Sequence, residues 1–266
     1  MRFMFSPVDA RPAPHSRKLS LAAATLLLAM LPVSVGQAQT RPAAPPASTA
    51  AAGHDISGVY WAATYSAKLQ PVGGGDPPYT PSAMATYKKN MAALKANTLD
   101  DGARTLCLPD GVPRIIANPY PFEIFQSPNR GEIHLLYELN HVVRLVSMDK
   151  PMPSEKELFI YPFFSGHSVG RWEGDTLVIE TAGLNEKTFL DNSGAPHTDK
   201  LRTVEHIRKI GDKELEDVVT IHDPGVFTKD WNARFVYQAR PDIRIMDYNC
   251  GEQHRDLSQV KGVQGH

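Results

Sequence analysis

The sequence predicts a mainly β domain: an antiparallel meander that closes into a barrel, with one helix near its start. Two observations predict it. From residue 106 onward short β-prone runs alternate with tight turn signals, and one earlier stretch repeats its apolar residues at helical spacing. An open meander exposes strand edges and closure removes them, so a barrel is expected rather than an open sandwich.

The N-terminus precedes that domain. Arg2, Arg11, Arg17 and Lys18 lead into an apolar run from Leu19 to about Val35, followed by Gly36-Gln37-Ala38. Basic residues, an apolar stretch and small residues in that order read as a secretory signal peptide over 1–38, cleaved after Ala38. As a membrane span the run is short and contains Pro32. No cysteine follows it to carry a lipid anchor. Residues 39–53 are rich in Pro, Ala and Ser and read as a disordered linker. The barrel domain is expected over 54–252 and a flexible tail over 253–266. The protein is thus expected to be periplasmic or secreted, with no stable membrane anchor after cleavage. The chain carries 28 Lys and Arg against 29 Asp and Glu, with no basic cluster beyond the leader, so nucleic acid is not an expected partner.

Ile56–Trp61 opens the domain as a strand. After a Pro/Gly loop, Thr80 is placed to cap a helix with Pro81 in its first turn; Met84, Tyr87, Met91 and Leu94 share a face, and the helix should end near Asn97. Four hairpins follow. Phe122–Gln126 and Glu132–Val146 flank a Ser-Pro-Asn-Arg-Gly turn; Val169–Trp172 and Thr176–Thr181 flank Glu-Gly-Asp. Leu201–Ile210 and Glu214–His222 flank Gly-Asp-Lys; Ala233–Ala239 and Ile243–Asn249 flank Arg-Pro-Asp. This strand pattern is lipocalin-like. Cys107 and Cys250 are an even pair that reads first as a disulfide in an oxidising compartment, tying an early segment to a C-terminal strand, and otherwise as two buried thiols.

Alternation sorts the faces. Along Glu132–Val146, Ile133, Leu135, Tyr137, Leu139, His141, Val143 and Leu145 form an apolar face with two polar tips, Tyr137 and His141, while Arg144 falls on the polar face. On the inner face these two tips would stand roughly 6–7 Å apart. His141 then reads either as a satisfied core histidine or as an acid or base, with Tyr137 donating to a developing oxyanion. Glu205, if inside, would need a donor and would make a candidate base; exposed, it would pair with a neighbouring arginine. The next strand places Leu215, Asp217, Val219, Ile221 and Asp223 on one face. Gly166 and Gly170 permit close approach around His167 and Ser168, with Arg171 and Trp172 following. No G-x-S-x-G elbow precedes a helix, so an α/β-hydrolase is disfavoured. The long connection Gly183–Lys200 carries Asn185, Phe189, Leu190, Asp191 and His197 and reads either as a lid across the barrel mouth or as an ordinary crossover. Ten histidines show no metal-binding spacing beyond the leader.

Several strings together carry a resemblance: Cys107–Arg114 (CLPDGVPR), Pro119–Ile124 (PYPFEI), Gly166–Thr181 (GHSVGRWEGDTLVIET) and Pro196-His197-Thr198. In this combination the chain resembles a broad family of secreted bacterial proteins abundant in soil and aromatic-degrading species. Family members usually carry an acidic pair before the proline of a "DDP" turn, where this chain has His222-Asp223. The resemblance implies a shared fold and export, and no particular reaction.

With no phosphate loop, dinucleotide signature or metal motif, no cofactor or metal is expected. The remaining toolkit points to cofactor-independent acid–base chemistry, a lyase or isomerase performing elimination or ring opening on a small hydrophobic molecule, aromatic ones included. His141, Tyr137, His167, Asp191, His197 and Glu205 are the candidate catalytic residues; Arg171, Arg144, Asn185, Phe189 and Trp172 are the candidates for substrate binding, with Arg171 placed to hold a phenolate or carboxylate. The alternative is a barrel that binds a small molecule without chemistry. A third is an envelope module with a packed lumen.

Overall fold

The computed structural model describes residues 54–253; the leader and linker expected over 1–53, and residues 254–266 of the tail, lie outside the described residues. Nine strands are described: β1 (Gly58–Ala62), β2 (Phe122–Ser127), β3 (Glu132–Tyr137), β4 (Val143–Met148), β5 (His167–Glu173), β6 (Thr176–Ala182), β7 (Arg202–Lys209), β8 (Glu214–His222) and β9 (Trp231–Ala239). They form a closed barrel in sequence order, β1 pairing with both β2 and β9. The helices are α1 (Pro81–Lys95), α2 (Gly102–Thr105), α3 (Glu155–Ile160) and α4 (Cys250–Gln253). The chain is a mainly β barrel with few helices, as its strand pattern predicts.

Local chemistry explains the elements. In α1 the Thr80 hydroxyl accepts from Ala83 N at 3.3 Å, Pro81 occupies the first turn, and Ala83 and Tyr87 are buried. The helix stops at Lys95, and Asn97 adopts φ 56° just beyond it. The turn between β2 and β3 is closed by Gly131 at φ 64°. Along β3 the inward residues are Ile133, Leu135 and Tyr137; along β8 they are Leu215, Asp217, Val219 and Ile221.

Three expectations are corrected. The run Glu132–Val146 is two strands, because Asn140 (φ 56°) and His141 (φ 51°) make a tight turn between β3 and β4. The turn inverts the faces beyond it: Val143 (58 %) and Leu145 (46 %) are exposed, whereas Arg144 (1 %) is inside. Second, the meander is interrupted, since β4 and β5 pair in parallel over Val146↔Ser168, Ser147↔Val169 and Met148↔Gly170. The connection over residues 149–166, which includes α3, is long enough to return the chain to the end at which β4 began. Third, residues 243–249 form no strand. Both edges of β9 are taken by β8 and β1, so no edge is left for a fourth hairpin. Cys107 and Cys250 are joined with Cα atoms 5.5 Å apart, and the bond ties down this irregular C-terminal segment and α4 rather than a strand.

The lumen is filled where aromatic residues of four strands converge. Phe122 stacks on Tyr137 at 5.5 Å and on Tyr60 at 5.9 Å and meets Tyr237 edge-on at 4.9 Å. The barrel interior around Tyr137 is therefore packed at that level.

Candidate functional site

Two arrangements bring polar side chains together. The first lies inside the wall, on β4 to β8. The Arg144 guanidinium donates to Glu205 Oε2 at 2.8 Å and Oε1 at 2.5 Å, to Ser168 Oγ at 3.0 Å and to Thr181 Oγ1 at 2.6 Å. Ser168 and Thr181 hydroxyls share a further bond of 2.9 Å. This is the donor that a buried Glu205 requires. Asp217, also buried, faces the same group of charges. Burial, reinforced by the neighbouring Glu205 carboxylate, pushes its carboxyl well above the usual range. Its Oδ1 makes no hydrogen bond among the described residues. Burial also raises the phenols of Tyr137 and Tyr237, and the latter donates to Ile116 O at 3.0 Å. Side chains of Leu135, Ile179 and Val219 belong to the same buried core. The hydrogen-bonded network joins four strands, β4, β5, β6 and β7, with Asp217 of β8 beside it.

The second arrangement is a cleft where the β4–β5 seam opens. These strands share three register pairs, and toward their N-terminal ends a cleft of about 580 Å³ lies between Val143 and Leu145 of β4 and the segment Phe163–Val169. That volume is of the size that takes a small ligand. Phe163 and Phe164 add apolar wall and His141, Lys150 and His167 add polar lining; Arg144 and Ser168 also border the cleft, but their side chains are turned inward to the buried network. Val143, Leu145 and Phe163 leave large apolar surface exposed here. His167 is held by a bond of 2.9 Å between its Nε2 and Tyr161 O, and its ring lies 5.0 Å from that of Phe163. Gly166 turns the chain into β5 at φ 64°, where a Cβ would stand 2.7 Å from Ala182 O; any other residue would push the cleft wall out.

The structure thus brings together Arg144 and Glu205 with Tyr137 inside, and His141 and His167 around the cleft. It separates the expected acid–base pair: Tyr137 is buried, whereas His141 sits in the turn, half-exposed, with its Nε2 against Asp247 Oδ1. Asp191 is a staple, accepting from Leu69 N and Ser193 N at 2.9 Å each. His197 lies between Thr188 Oγ1 at 3.5 Å and Thr198 O at 3.1 Å, and burial pulls its imidazole pKa down. The connection carrying them is pinned to the body: Ser193 bonds Tyr87 at 2.8 Å, Gly194 O accepts from Asn90 at 2.9 Å, and Leu190 is buried while Phe189 is half-buried. The lid reading of this loop gives way to the crossover reading. Asn185 caps a local turn by accepting from Lys187 N at 3.0 Å. Arg171 is on the outer face, occupied by Glu173 at 2.7 Å and Glu180 at 2.5 Å, and so has no guanidinium edge turned to a lumen ligand. Trp172 stacks on His54 at 4.5 Å beside a separate cleft of about 400 Å³.

Sequence reasoning missed Ser168 and Thr181 as partners of Arg144, and Asp217 as a buried carboxyl beside them. The signal for Asp217 was present, a lone carboxylate in the apolar stripe of β8. It also missed Arg114, buried and paired with Asp101 at 2.9 Å and Asp110 at 2.8 Å. Among the described residues no group of three or more His, Cys, Asp or Glu is placed to hold a metal ion, and no helix is long and apolar enough to cross a membrane.

No family model matches the sequence, and no curated protein matches it. Among solved structures the chain is similar to a secretary abundant heat soluble (SAHS) protein from Ramazzottius varieornatus, at 9% identity and a TM-score of 0.33, over 70% of this chain and 96% of that one. The barrel assignment rests on the strand pairing of this chain itself.

Proposed function

We propose that the chain is an exported barrel protein that binds a small hydrophobic molecule in the β4–β5 seam cleft. The observation that carries this reading is the cleft itself, an apolar-walled space of about 580 Å³ with polar groups along one side, on a scaffold whose interior is already filled. The internal charge network holds the wall rigid around it. Two features support export and a periplasmic or secreted location: the leader-like pattern of residues 1–38, and a disulfide of the kind that persists in oxidising compartments. The CLPDGVPR, PYPFEI and GHSVGRWEGDTLVIET strings support membership of the secreted bacterial family they resemble.

Binding is favoured over acid–base catalysis because the Tyr137 and His141 pair is divided between the core and the surface. The test is Leu145→Asp. Leu145 is exposed on the cleft wall, so the fold should survive with stability within about 0.5 kcal/mol. Removing its apolar contact should weaken binding of hydrophobic probes by about tenfold or more. Unchanged affinity in a folded Leu145→Asp protein would place the ligand elsewhere.

A further inference from the structure

We infer that the occupant of the seam cleft is anionic: a hydrophobic monocarboxylate whose apolar body lies between β4 and Phe163 while its carboxylate meets the basic side of the lining. The inference rests on the reading of this cleft as a binding site and goes further by naming the charge of its ligand.

The lining is one-sided in charge. His141, Lys150 and His167 border the cleft, as does Arg144 with its guanidinium turned inside, and among the described residues no Asp or Glu lines it. Arg144 is already matched by Glu205, and His141 has Asp247 as a partner. Lys150 is exposed with no ion pair among the described residues, and His167, whose Nε2–H is given to Tyr161 O, has an Nδ1–H to offer an anion when its ring is protonated. Ser165 also lines the cleft. Two other clefts lack this bias, and in a smaller one of about 220 Å³ the two basic groups, Lys68 and Arg234, are already paired with Asp76 and Glu216. The one beside α3, about 700 Å³, alternates Glu155, Glu186 and Asp199 with Lys156, Lys200 and Arg202. The one beside Trp172 sets Asp55, Glu132 and Asp149 against His54. A site with apolar walls, basic groups and no carboxylate admits an amphiphilic anion and repels nothing it carries. A cation of the same shape would lose its hydration against like charge.

Three probes that share a naphthalene body separate the possibilities on the full chain: 2-naphthoate, its methyl ester, and 2-naphthylmethylammonium, titrated by calorimetry. The carboxylate should bind about three- to tenfold more tightly than the ester, a margin that narrows as salt is added, with the ammonium weakest. In Lys150→Gln/His167→Gln the carboxylate should fall to the affinity of the ester, while ester binding stays as in the parent. Equal affinity of carboxylate and ester, or a preference for the ammonium, would overturn the anionic assignment and leave the cleft as a neutral hydrophobic site. Failure of all three probes to bind would overturn both the cleft reading and this inference.

Discussion

Arg144 holds a guanidinium inside a β-barrel wall with Glu205 as its matched carboxylate, both 1 % exposed. Breaking such a pair on one side leaves a buried charge alone, and that is costlier than the pair was ever stabilising. Arg144→Met is therefore expected to lose about 3–5 kcal/mol in urea unfolding, and Arg144→Met/Glu205→Leu to recover most of it. Equal losses in the single and the double variant would show that the stranded Glu205 charge is not what makes the single change costly. Asp217 gives a pH signature. Its carboxyl keeps its proton to higher pH in the fold than in the unfolded chain, where it ionises near ~3.9. Above that value the unfolded state binds fewer protons, so stability falls as pH rises and levels off only beyond the raised folded-state pKa. Asp217→Asn should match the parent below about pH 4 and gain on it steadily as pH rises. Parallel stability curves for the two proteins would refute that assignment. At this scale legibility was uneven. Glu205's need for a donor followed from strand alternation alone. Arg144 as that donor did not, because two consecutive left-handed residues, Asn140 and His141, invert the faces between β3 and β4. Neither residue is a glycine, so the usual marker of such a turn was missing.

Elements were legible where turn chemistry is local. The turns of β2–β3, β5–β6 and β7–β8 lie where Gly-containing signals place them, and α1 starts at its Thr-Pro cap. Elements that depend on which edges remain free were not. Residues 243–249 alternate like a strand, yet β9 is already flanked on both sides, so the segment stays irregular and bonds where it can. Its attachments are Met246 N to Glu138 Oε2 at 2.9 Å, Asn140 N to Tyr248 O at 3.1 Å and Cys250 N to Asn140 Oδ1 at 3.0 Å, with the Cys107–Cys250 bond as the covalent tie. Because that bond spans 143 residues, Cys107→Ser/Cys250→Ser should lose about 4–5 kcal/mol by the chain-entropy account. Amide exchange should rise first over 244–250, ahead of the barrel strands. Unaltered exchange there would mean that the hydrogen bonds alone hold the segment.

Across the whole molecule, closure was readable from the succession of hairpins, since a meander with this many strands must hide its edges. Occupancy of the lumen was not. Whether Tyr60, Phe122, Tyr137 and Tyr237 converge depends on how nine strands are staggered, and no local pattern encodes stagger. The same global geometry makes β4 and β5 parallel neighbours and opens the seam between them. A filled barrel with a cleft in its wall places recognition at an imperfection of the sheet rather than at its centre. Backbone NMR shift mapping during titration with 2-naphthoate tests that placement most directly. The account predicts saturable shifts over residues 143–150 and 163–169 with the core amides of Ile133, Val219 and Ala233 unmoved; shifts centred on those core residues, or on Trp172, would contradict it.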